Sequence, residues 1–263
     1  MAKAPAELIL SGVARPTFGS GSPGLGLGLG LGLGLQSFYS TKFMDHQRQI
    51  QMKKMVILIS GRGSNMQALL EAKLPCRIAA VISNRVDAQG LDIAKAHGIA
   101  TAVVEHRDYA DRENFDAALA ETIDIYQPDF VVLAGFMRIL TTKFVKRYHG
   151  KLINIHPSLL PAFGGLNTHA RALHDGVKIH GCTVHFVASD LDHGPIIIQA
   201  AVPVLRDDTE QTLAARVLRE EHRIYAQAIR WLCEDKVVLN EQGQTILLIH
   251  RQSGFTLVSP GLE

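Results

Sequence analysis

Short apolar segments alternate with helical segments from Met55 onward, and this alternation constrains the fold more than any other feature of the 263-residue chain. Helical patterns end near Ala72, run near residues 91–97, and extend from about Arg112 to Tyr126. Strands that are apolar on both faces are typical of a parallel sheet covered by helices on each side. The sequence therefore predicts an α/β fold on a mostly parallel sheet. The predicted strands are residues 55–59, 77–83, 101–104, 130–134 and 152–155.

Two later segments, residues 183–187 and 196–204, also have strand character, and an antiparallel arrangement at one edge of the sheet is an option for them. The longest predicted helix covers residues 209–232, with Asp208 and Gln211 spaced as a capping box at its start. After Lys236 apolar and polar residues alternate only weakly, so this tail is assigned no role.

One carboxylate falls on the apolar face of that last helix. Leu213, Val217, Ile224 and Trp231 recur at helical spacing and define the face that we expect to be buried. Glu221 follows Val217 by four residues, so it lies on the same face. An inward carboxylate needs a partner, whereas a half-exposed glutamate at the margin of the face does not. The spacing leaves both arrangements open.

Residues 1–52 differ in composition from the rest of the chain. Residues 24–35 strictly alternate glycine and leucine, which raises the entropy cost of ordering and leaves little side chain to pack. Three interpretations are open: an organelle transit segment, a disordered tail, or sequence upstream of a later start at one of three methionines. The last two are favoured because basic residues are sparse. We therefore divide the chain into a low-complexity extension at 1–52, a folded α/β domain at 53–235 and a tail at 236–263.

The chain is 47% hydrophobic and 20% charged, with a formal net charge of +2 and no lysine- or arginine-rich block. A nucleic-acid binder usually carries a concentrated basic surface, so this composition favours small-molecule partners. Cys76, Cys182 and Cys233 are far apart and lack metal-type spacing, which indicates reduced thiols. The sequence has no long apolar stretch free of glycine, so we expect no membrane helix. The predicted location is cytoplasmic, or an organelle if residues 1–52 are a transit segment.

The segment Ser-Gly-Arg-Gly-Ser-Asn at residues 60–65 joins the first predicted strand to the first predicted helix. Glycines permit a sharp turn, Ser64 or Asn65 can cap the helix, and the free N–H groups at the helix start can bind a phosphate. Met66 stands where a dinucleotide-binding turn has its third glycine, and no Walker Gly-Lys-Ser/Thr follows. The segment is therefore either a phosphate site or simply a tight turn before a capped helix.

Asn154 and His156 are two residues apart at the end of the fifth predicted strand, so their side chains point the same way. Open α/β sheets bind ligands at the carboxyl ends of their strands, although a lone histidine there is often structural. Asp192 lies in a Leu-Asp-His-Gly-Pro segment, which is also a typical surface turn. Three further histidines fit no zinc motif, so no metal site is predicted: His169, His180 and His185.

Four segments taken together resemble the phosphoribosylglycinamide formyltransferase family, and they occur in the family's order between about Met55 and Trp231. The resemblance implies a Rossmann-like formyltransferase fold with helices on both faces of the sheet. It also implies transfer of a formyl group from the co-substrate 10-formyltetrahydrofolate to the amine of glycinamide ribonucleotide in purine biosynthesis, without a metal. The four segments are residues 60–65, 135–140, 154–161 and 181–195.

The resemblance further implies roles for individual residues. The implied catalytic trio is Asn154, His156 and Asp192. The implied ribonucleotide-binding residues are Gly63, Ser64, Asn65 and Glu221. The implied folate-binding residues are Arg112, Met137, Arg138, Ile139 and Leu140. Asn167 departs from the family, which usually carries a histidine at that place in the loop after Pro161.

Other 10-formyltetrahydrofolate enzymes share single motifs with this chain, and two of them are the nearest alternatives. Methionyl-tRNA formyltransferase carries an added C-terminal domain, and the formyl-folate hydrolase carries a regulatory domain ahead of its catalytic part. We expect neither addition in this chain. A non-catalytic nucleotide-binding Rossmann module would explain the sheet and the glycine turn, but not Asn154, His156 and Asp192 together.

Overall fold

A computed structural model describes residues 52–248 and Ser259 of the chain, and a seven-stranded sheet lies at its centre. The strand order is β3-β2-β1-β4-β5-β6-β7, with parallel pairing from β3 through β5. β6 is antiparallel to both β5 and β7. The predicted parallel sheet with an antiparallel pair at one edge is confirmed. The strands are β1 Lys54–Ile59, β2 Arg77–Ser83, β3 Thr101–Val103, β4 Phe130–Leu133, β5 Leu152–His156, β6 Ile179–Phe186 and β7 Ile196–Pro203.

Helices cover both faces of the sheet, as predicted, and each face has its own apolar core. Alternate residues of β1 divide between the two cores: Ile57 and Ile59 join one, while Val56 and Leu58 join the other. This division follows from the two-residue repeat of a strand buried on both sides. The helices are α1 Ser64–Glu71, α2 Gly90–Ala96, α3 Arg112–Asp124, α4 Thr142–Arg147, α5 Thr168–His174 and α6 Glu210–Cys233, with a 3₁₀ turn at His106–Asp108.

The order of the strands places a crevice at the carboxyl ends of β1 and β4. β1 pairs with β2 on one side and with β4 on the other. The strands that follow β1 in the sequence are therefore added first on the β2 side of the sheet and then on the β4 side. The loops that leave these two strands diverge to opposite faces of the sheet, and open α/β folds bind ligands in the resulting gap.

The capping box predicted for the last helix is wrong by one residue. Thr209, not Asp208, is the N-cap: its hydroxyl accepts a hydrogen bond from the Thr212 N–H, and the Thr212 hydroxyl accepts one from the Thr209 N–H. Asp208 instead receives both arms of the Arg216 guanidinium, at 2.6 and 2.7 Å. Because the Asp208 carboxylate is engaged in this charge-assisted pair, it is not available to cap α6.

The segment after residue 235, to which the sequence assigns no role, contains a small hairpin. Strands β8 (Val237–Leu239) and β9 (Thr245–Leu247) pair antiparallel, and Val237 is buried in the core beside α6. The hydroxyl of Thr245 donates to the carbonyl of Ile196, which attaches the hairpin to the start of β7. The predicted extension at residues 1–52 lies outside the described residues except for Met52, and so does most of the tail beyond residue 248. No helix in the described part of the chain is long and apolar enough to cross a membrane.

Candidate active site

The glycine turn leads from β1 into α1 by a left-handed residue. Gly63 has φ of 78° and is the N-cap of α1, and no side chain caps this helix. The expectation that Ser64 or Asn65 caps it is therefore wrong, because the helix already includes both residues. A Cβ on Gly63 would lie 2.9 Å from the Cα of Gly90, so close approach of the two turns also requires glycine. The N–H groups of the first turn of α1 remain free of helical partners.

A cavity of about 540 Å³ opens in front of this turn. Three arginines line it and no carboxylate does, so its charge favours an anion. Arg85 is partly neutralised because its guanidinium pairs with Asp87 at 2.6 Å. The lining includes the predicted ligand residues Gly63, Ser64, Asn65, Met137 and Arg138, together with Ser60, Gly61, Arg62, Asn84, Arg85, His106, Ala134 and Gly135.

A buried hydrogen-bond chain joins the two loops that border this cavity. The Ser60 hydroxyl donates to Asn84 Oδ1 at 2.6 Å and accepts from the backbone N–H of Met137 at 2.7 Å. It thus ties the end of β1 to the loop after β4. Sequence reasoning missed Asn84, Arg85 and His106 at this site. The only available signal was that Asn84 directly follows the second predicted strand, at the same edge of the sheet.

Glu221 lies on the inner face of α6, and the structure gives it a partner. Its carboxylate accepts a hydrogen bond of 2.7 Å from Asn65 Nδ2, and only 7% of the residue is exposed. Burial raises the pKa of Glu221, while the Asn65 hydrogen bond opposes that shift. Of the two arrangements that helical spacing left open, the structure shows the inward one. A carboxylate with this single neutral partner retains capacity to accept from another donor.

His156 and Asp192 meet at the carboxyl end of β5. His156 Nδ1 is 3.5 Å from Asp192 Oδ2, and each side chain is 8% exposed. His156 Nε2 is 3.0 Å from the carbonyl oxygen of Phe163, to which it donates. Both imidazole nitrogens therefore face hydrogen-bond acceptors, the Asp192 carboxylate and the Phe163 carbonyl. Asp192 also accepts from the Gly165 N–H at 2.8 Å and has a left-handed φ of 56°.

Asn154 lies on the same face of β5 as His156, two residues earlier in the strand. Asn154 and His156 pair with His185 and Thr183 of β6, so the predicted common direction of the two side chains is confirmed. Asn154 Nδ2 is 3.2 Å from His185 Nε2. The structure thus brings together Asn154, His156 and Asp192, which are up to 38 residues apart in the sequence.

The loop after β5 closes over His156 and Asp192 through backbone groups. Phe163 supplies the carbonyl to His156 and Gly165 the N–H to Asp192, while Arg171 donates to the Gly164 carbonyl at 2.6 Å. Asn167, where the resembling family usually has histidine, is the left-handed N-cap of α5 with φ of 56°. Asparagine tolerates this conformation well, so the departure suits the backbone of the loop.

The predicted folate-binding residues are only partly brought together. Met137 and Ile139 expose 73% and 56% of their surface, and Arg138 places its guanidinium 5.5 Å from the ring centroid of Phe115 on α3. Leu140 packs with the core on that side. Arg112 begins the same helix but is exposed and does not line the cavity.

Within the part of the chain that the structure describes, no group of three or more histidine, cysteine or acidic side chains could hold a metal ion. His169 Nδ1 and His180 Nε2 lie 3.2 Å apart, an arrangement that requires one nitrogen to donate and the other to accept. Burial, with the neighbouring His169 adding to it, lowers the pKa of His180 to about 4, so this pair is neutral at physiological pH.

Known formyl transferases are similar to this chain in sequence and in fold. The family model described as formyl transferase matches residues 53–229. The phosphoribosylglycinamide formyltransferase of Escherichia coli (strain K12) is 48% identical over 190 residues, which cover 71% of this chain and 90% of that protein.

A crystal structure of glycinamide ribonucleotide transformylase 1 from Symbiobacterium toebii superposes with a TM-score of 0.73 and 46% identity, over 75% of this chain and 95% of that one. The human trifunctional purine biosynthetic protein adenosine-3 is 48% identical over 195 residues, which cover 73% of this chain. The chain therefore spans only 19% of the length of that larger relative.

Proposed function

Because the chain belongs to the formyl transferase family, and to the phosphoribosylglycinamide formyltransferases within it, we propose that it formylates glycinamide ribonucleotide with 10-formyltetrahydrofolate in purine biosynthesis. The observation that carries this proposal is the meeting of His156 and Asp192 beside Asn154 at the carboxyl end of β5. A neighbouring cavity with anion-favouring charge supplies a place for the ribonucleotide phosphate.

The ribonucleotide binds between the glycine turn and α6 in this proposal. The free N–H groups at Gly63, Ser64 and Asn65 hold the phosphate at the start of α1. Glu221, already oriented by Asn65, accepts a hydrogen bond from the amine and directs it toward β5. The cavity and the Asn65–Glu221 pair support this placement because Asn65 belongs to both.

The folate is assigned to the loop after β4. Exposed Met137 and Ile139, with Leu140 behind them, offer an apolar surface to the pteridine ring system, and Arg138 and Arg112 offer positive charge to its carboxylates. The Ser60 hydrogen bond to the Met137 N–H supports this assignment, since it fixes the loop next to the phosphate turn. Both substrates then approach the corner that holds His156.

Formyl transfer begins when the neutral amine nitrogen attacks the formyl carbon and forms a C–N bond. The carbonyl electron pair moves to oxygen, and the resulting oxyanion accepts hydrogen bonds from Asn154 Nδ2 and the His156 imidazolium. His156 must release the Phe163 carbonyl to donate in this way, so substrate entry displaces that loop contact.

Collapse of the tetrahedral intermediate breaks the bond between the formyl carbon and the folate N10. Asp192 takes a proton from the attacking nitrogen, directly or through water, and the same proton is passed on to N10 as that nitrogen leaves. The products are formylglycinamide ribonucleotide and tetrahydrofolate, so atoms and charge balance. Asp192 also stabilises the imidazolium form of His156, which it faces across 3.5 Å.

We further place the reaction in the cytoplasm, because Cys76, Cys182 and Cys233 are free thiols.

The test is acceptor-dependent turnover of 10-formyltetrahydrofolate, followed by the absorbance change of the folate. We expect turnover only when glycinamide ribonucleotide is present and formylated product in equal amount. Turnover without the amine would instead indicate hydrolysis of the formyl-folate. Formylation of methionyl-tRNA in place of the ribonucleotide would indicate methionyl-tRNA formyltransferase activity. Binding of the folate and the acceptor without turnover of either would contradict the proposal that the protein is an enzyme.

A further inference from the structure

We propose that His185 is a positioning residue for formyl transfer: as a neutral imidazole it accepts a hydrogen bond from Asn154 and so determines which end of that amide faces the substrate. The inference rests on the proposed function, in which Asn154 donates to the oxyanion. His185 itself is 1% exposed and therefore acts through Asn154 without touching substrate.

The sheet register brings the two side chains together. Asn154 of β5 and His185 of β6 are directly opposite residues of an antiparallel pair, so their side chains project from the same face of the sheet. The contact between them, 3.2 Å from Asn154 Nδ2 to His185 Nε2, is thus held by backbone hydrogen bonds on both strands.

A second hydrogen bond fixes the tautomer of His185. Its Nδ1 is 2.9 Å from the carbonyl oxygen of Phe186, and a carbonyl can only accept, so Nδ1 carries a proton. Burial, the largest influence, lowers the pKa of His185 and disfavours a second proton. Nε2 is therefore left with a lone pair and must act as the acceptor in its contact with Asn154.

The lone pair on His185 Nε2 determines whether the oxygen or the nitrogen of the Asn154 amide faces His185. An amide has similar shape at its oxygen and nitrogen ends, and either can face a neighbour. If Oδ1 faced His185, two lone pairs would oppose each other in a buried site, which is unfavourable. Nδ2 therefore faces His185 with one N–H, and its second N–H remains for the oxyanion. The side-chain orientation that catalysis needs is established before substrate binds.

The experiment compares two His185 substitutions in two backgrounds. His185→Met introduces an apolar side chain of similar volume and removes the strong acceptor, whereas His185→Gln can place an amide oxygen near the Nε2 position. We expect His185→Met to lower kcat by about tenfold or more, a fraction of the ~10²–10³ loss typical of removing an oxyanion donor, with KM for both substrates nearly unchanged. His185→Gln should recover most of the lost kcat.

The double variant separates positioning from general stabilisation. If His185 acts through Asn154, adding His185→Met to Asn154→Ala should lower kcat little further, because the amide is already gone. An equal fold loss in both backgrounds, or wild-type kcat for His185→Met alone, would overturn the proposal. Wild-type enzyme that fails to formylate glycinamide ribonucleotide would instead overturn the proposed function.

A measurement on the unsubstituted protein covers the case in which His185→Met does not fold. Nitrogen-15 NMR of the histidine side chains distinguishes a lone-pair nitrogen from a protonated one. We expect a lone-pair signal for His185 Nε2 and a protonated Nδ1 at neutral pH. A protonated Nε2 would show that His185 cannot accept from Asn154, and the inference would be wrong regardless of any activity.

Discussion

Replacement of Asp192 by asparagine tests the charge relation between Asp192 and His156 without changing the size of the side chain. The asparagine oxygen can still accept from the Gly165 N–H, a bond of 2.8 Å in the structure, so the loop should keep its position. The nitrogen of the new amide would face His156 Nδ1, which must then accept instead of donate. His156 would keep a proton on Nε2 but would become a neutral donor.

The size of the effect follows from two losses. A hydrogen bond from a charged donor contributes about 1.5–3 kcal/mol, and one between neutral groups about 0.5–1.5 kcal/mol, so the oxyanion loses roughly 1–1.5 kcal/mol, or about tenfold in rate. Loss of the carboxylate as a proton acceptor removes a further ~10²–10⁴-fold contribution. We therefore expect kcat for Asp192→Asn to fall by ~10³–10⁵-fold, with KM for each substrate within a few-fold of the wild-type value.

Steady-state kinetics with both substrates, together with thermal melting of each variant, would provide the measurement. Asp192→Asn should fold normally, since no contact with the core is removed. His156→Ala is the matched control: it should itself lower kcat by orders of magnitude, and Asp192→Asn should then cost less than it does alone. A kcat for Asp192→Asn within about threefold of wild type, which is under 1 kcal/mol of barrier, would refute the charge pairing and leave residues 190–195 as a plain turn.

Three other outcomes follow from the structure. Glu221→Gln should raise the melting temperature at neutral pH, because burial raises the pKa of Glu221 and the folded state therefore holds the charged carboxylate at a cost. This gain in melting temperature should vanish as the pH falls through the ordinary range of glutamate pKa values. The KM for glycinamide ribonucleotide should rise at all pH values. Asp208→Asn should have the opposite stability profile in urea titrations, since Arg216 holds the pKa of Asp208 well below its usual range: the loss is complete at neutral pH and disappears in acid. A chain that begins at Met52 should keep the turnover and melting temperature of the full chain, because the glycine-leucine alternation offers little to a core; a clear drop in melting temperature would show that the segment packs on the domain.

Local pattern predicted most of the larger elements but not their ends, and it missed α4, α5 and the β8–β9 hairpin. The predicted second strand coincides with β2, and most other predicted strands and helices differ from those observed by one or two residues. The capping box was misplaced because both Asp208 and Thr209 have side chains that can cap a helix. The choice between them depends on Arg216, whose guanidinium takes up Asp208.

The placement of Asn154 and His156 on one strand face, and of Glu221 on the apolar face of its helix, could be predicted from the sequence alone, whereas the depth to which Glu221 is buried could not. Each depends only on the 3.6-residue or two-residue repeat of an element, which is a property of neighbouring residues. The resemblance to a family then supplied Asp192, which no local rule distinguishes from a turn residue.

Only the tertiary structure decided which side chains meet. The contact of Asn154 with His185 depends on the register of β5 against β6, and the approach of Asp192 to His156 depends on the path of two loops. Likewise Asn84 reaches Ser60 because β2 lies beside β1. A repeat along the chain fixes the face on which a residue lies, but contacts between distant segments are set by how the apolar faces pack together, and that is determined by the whole chain at once.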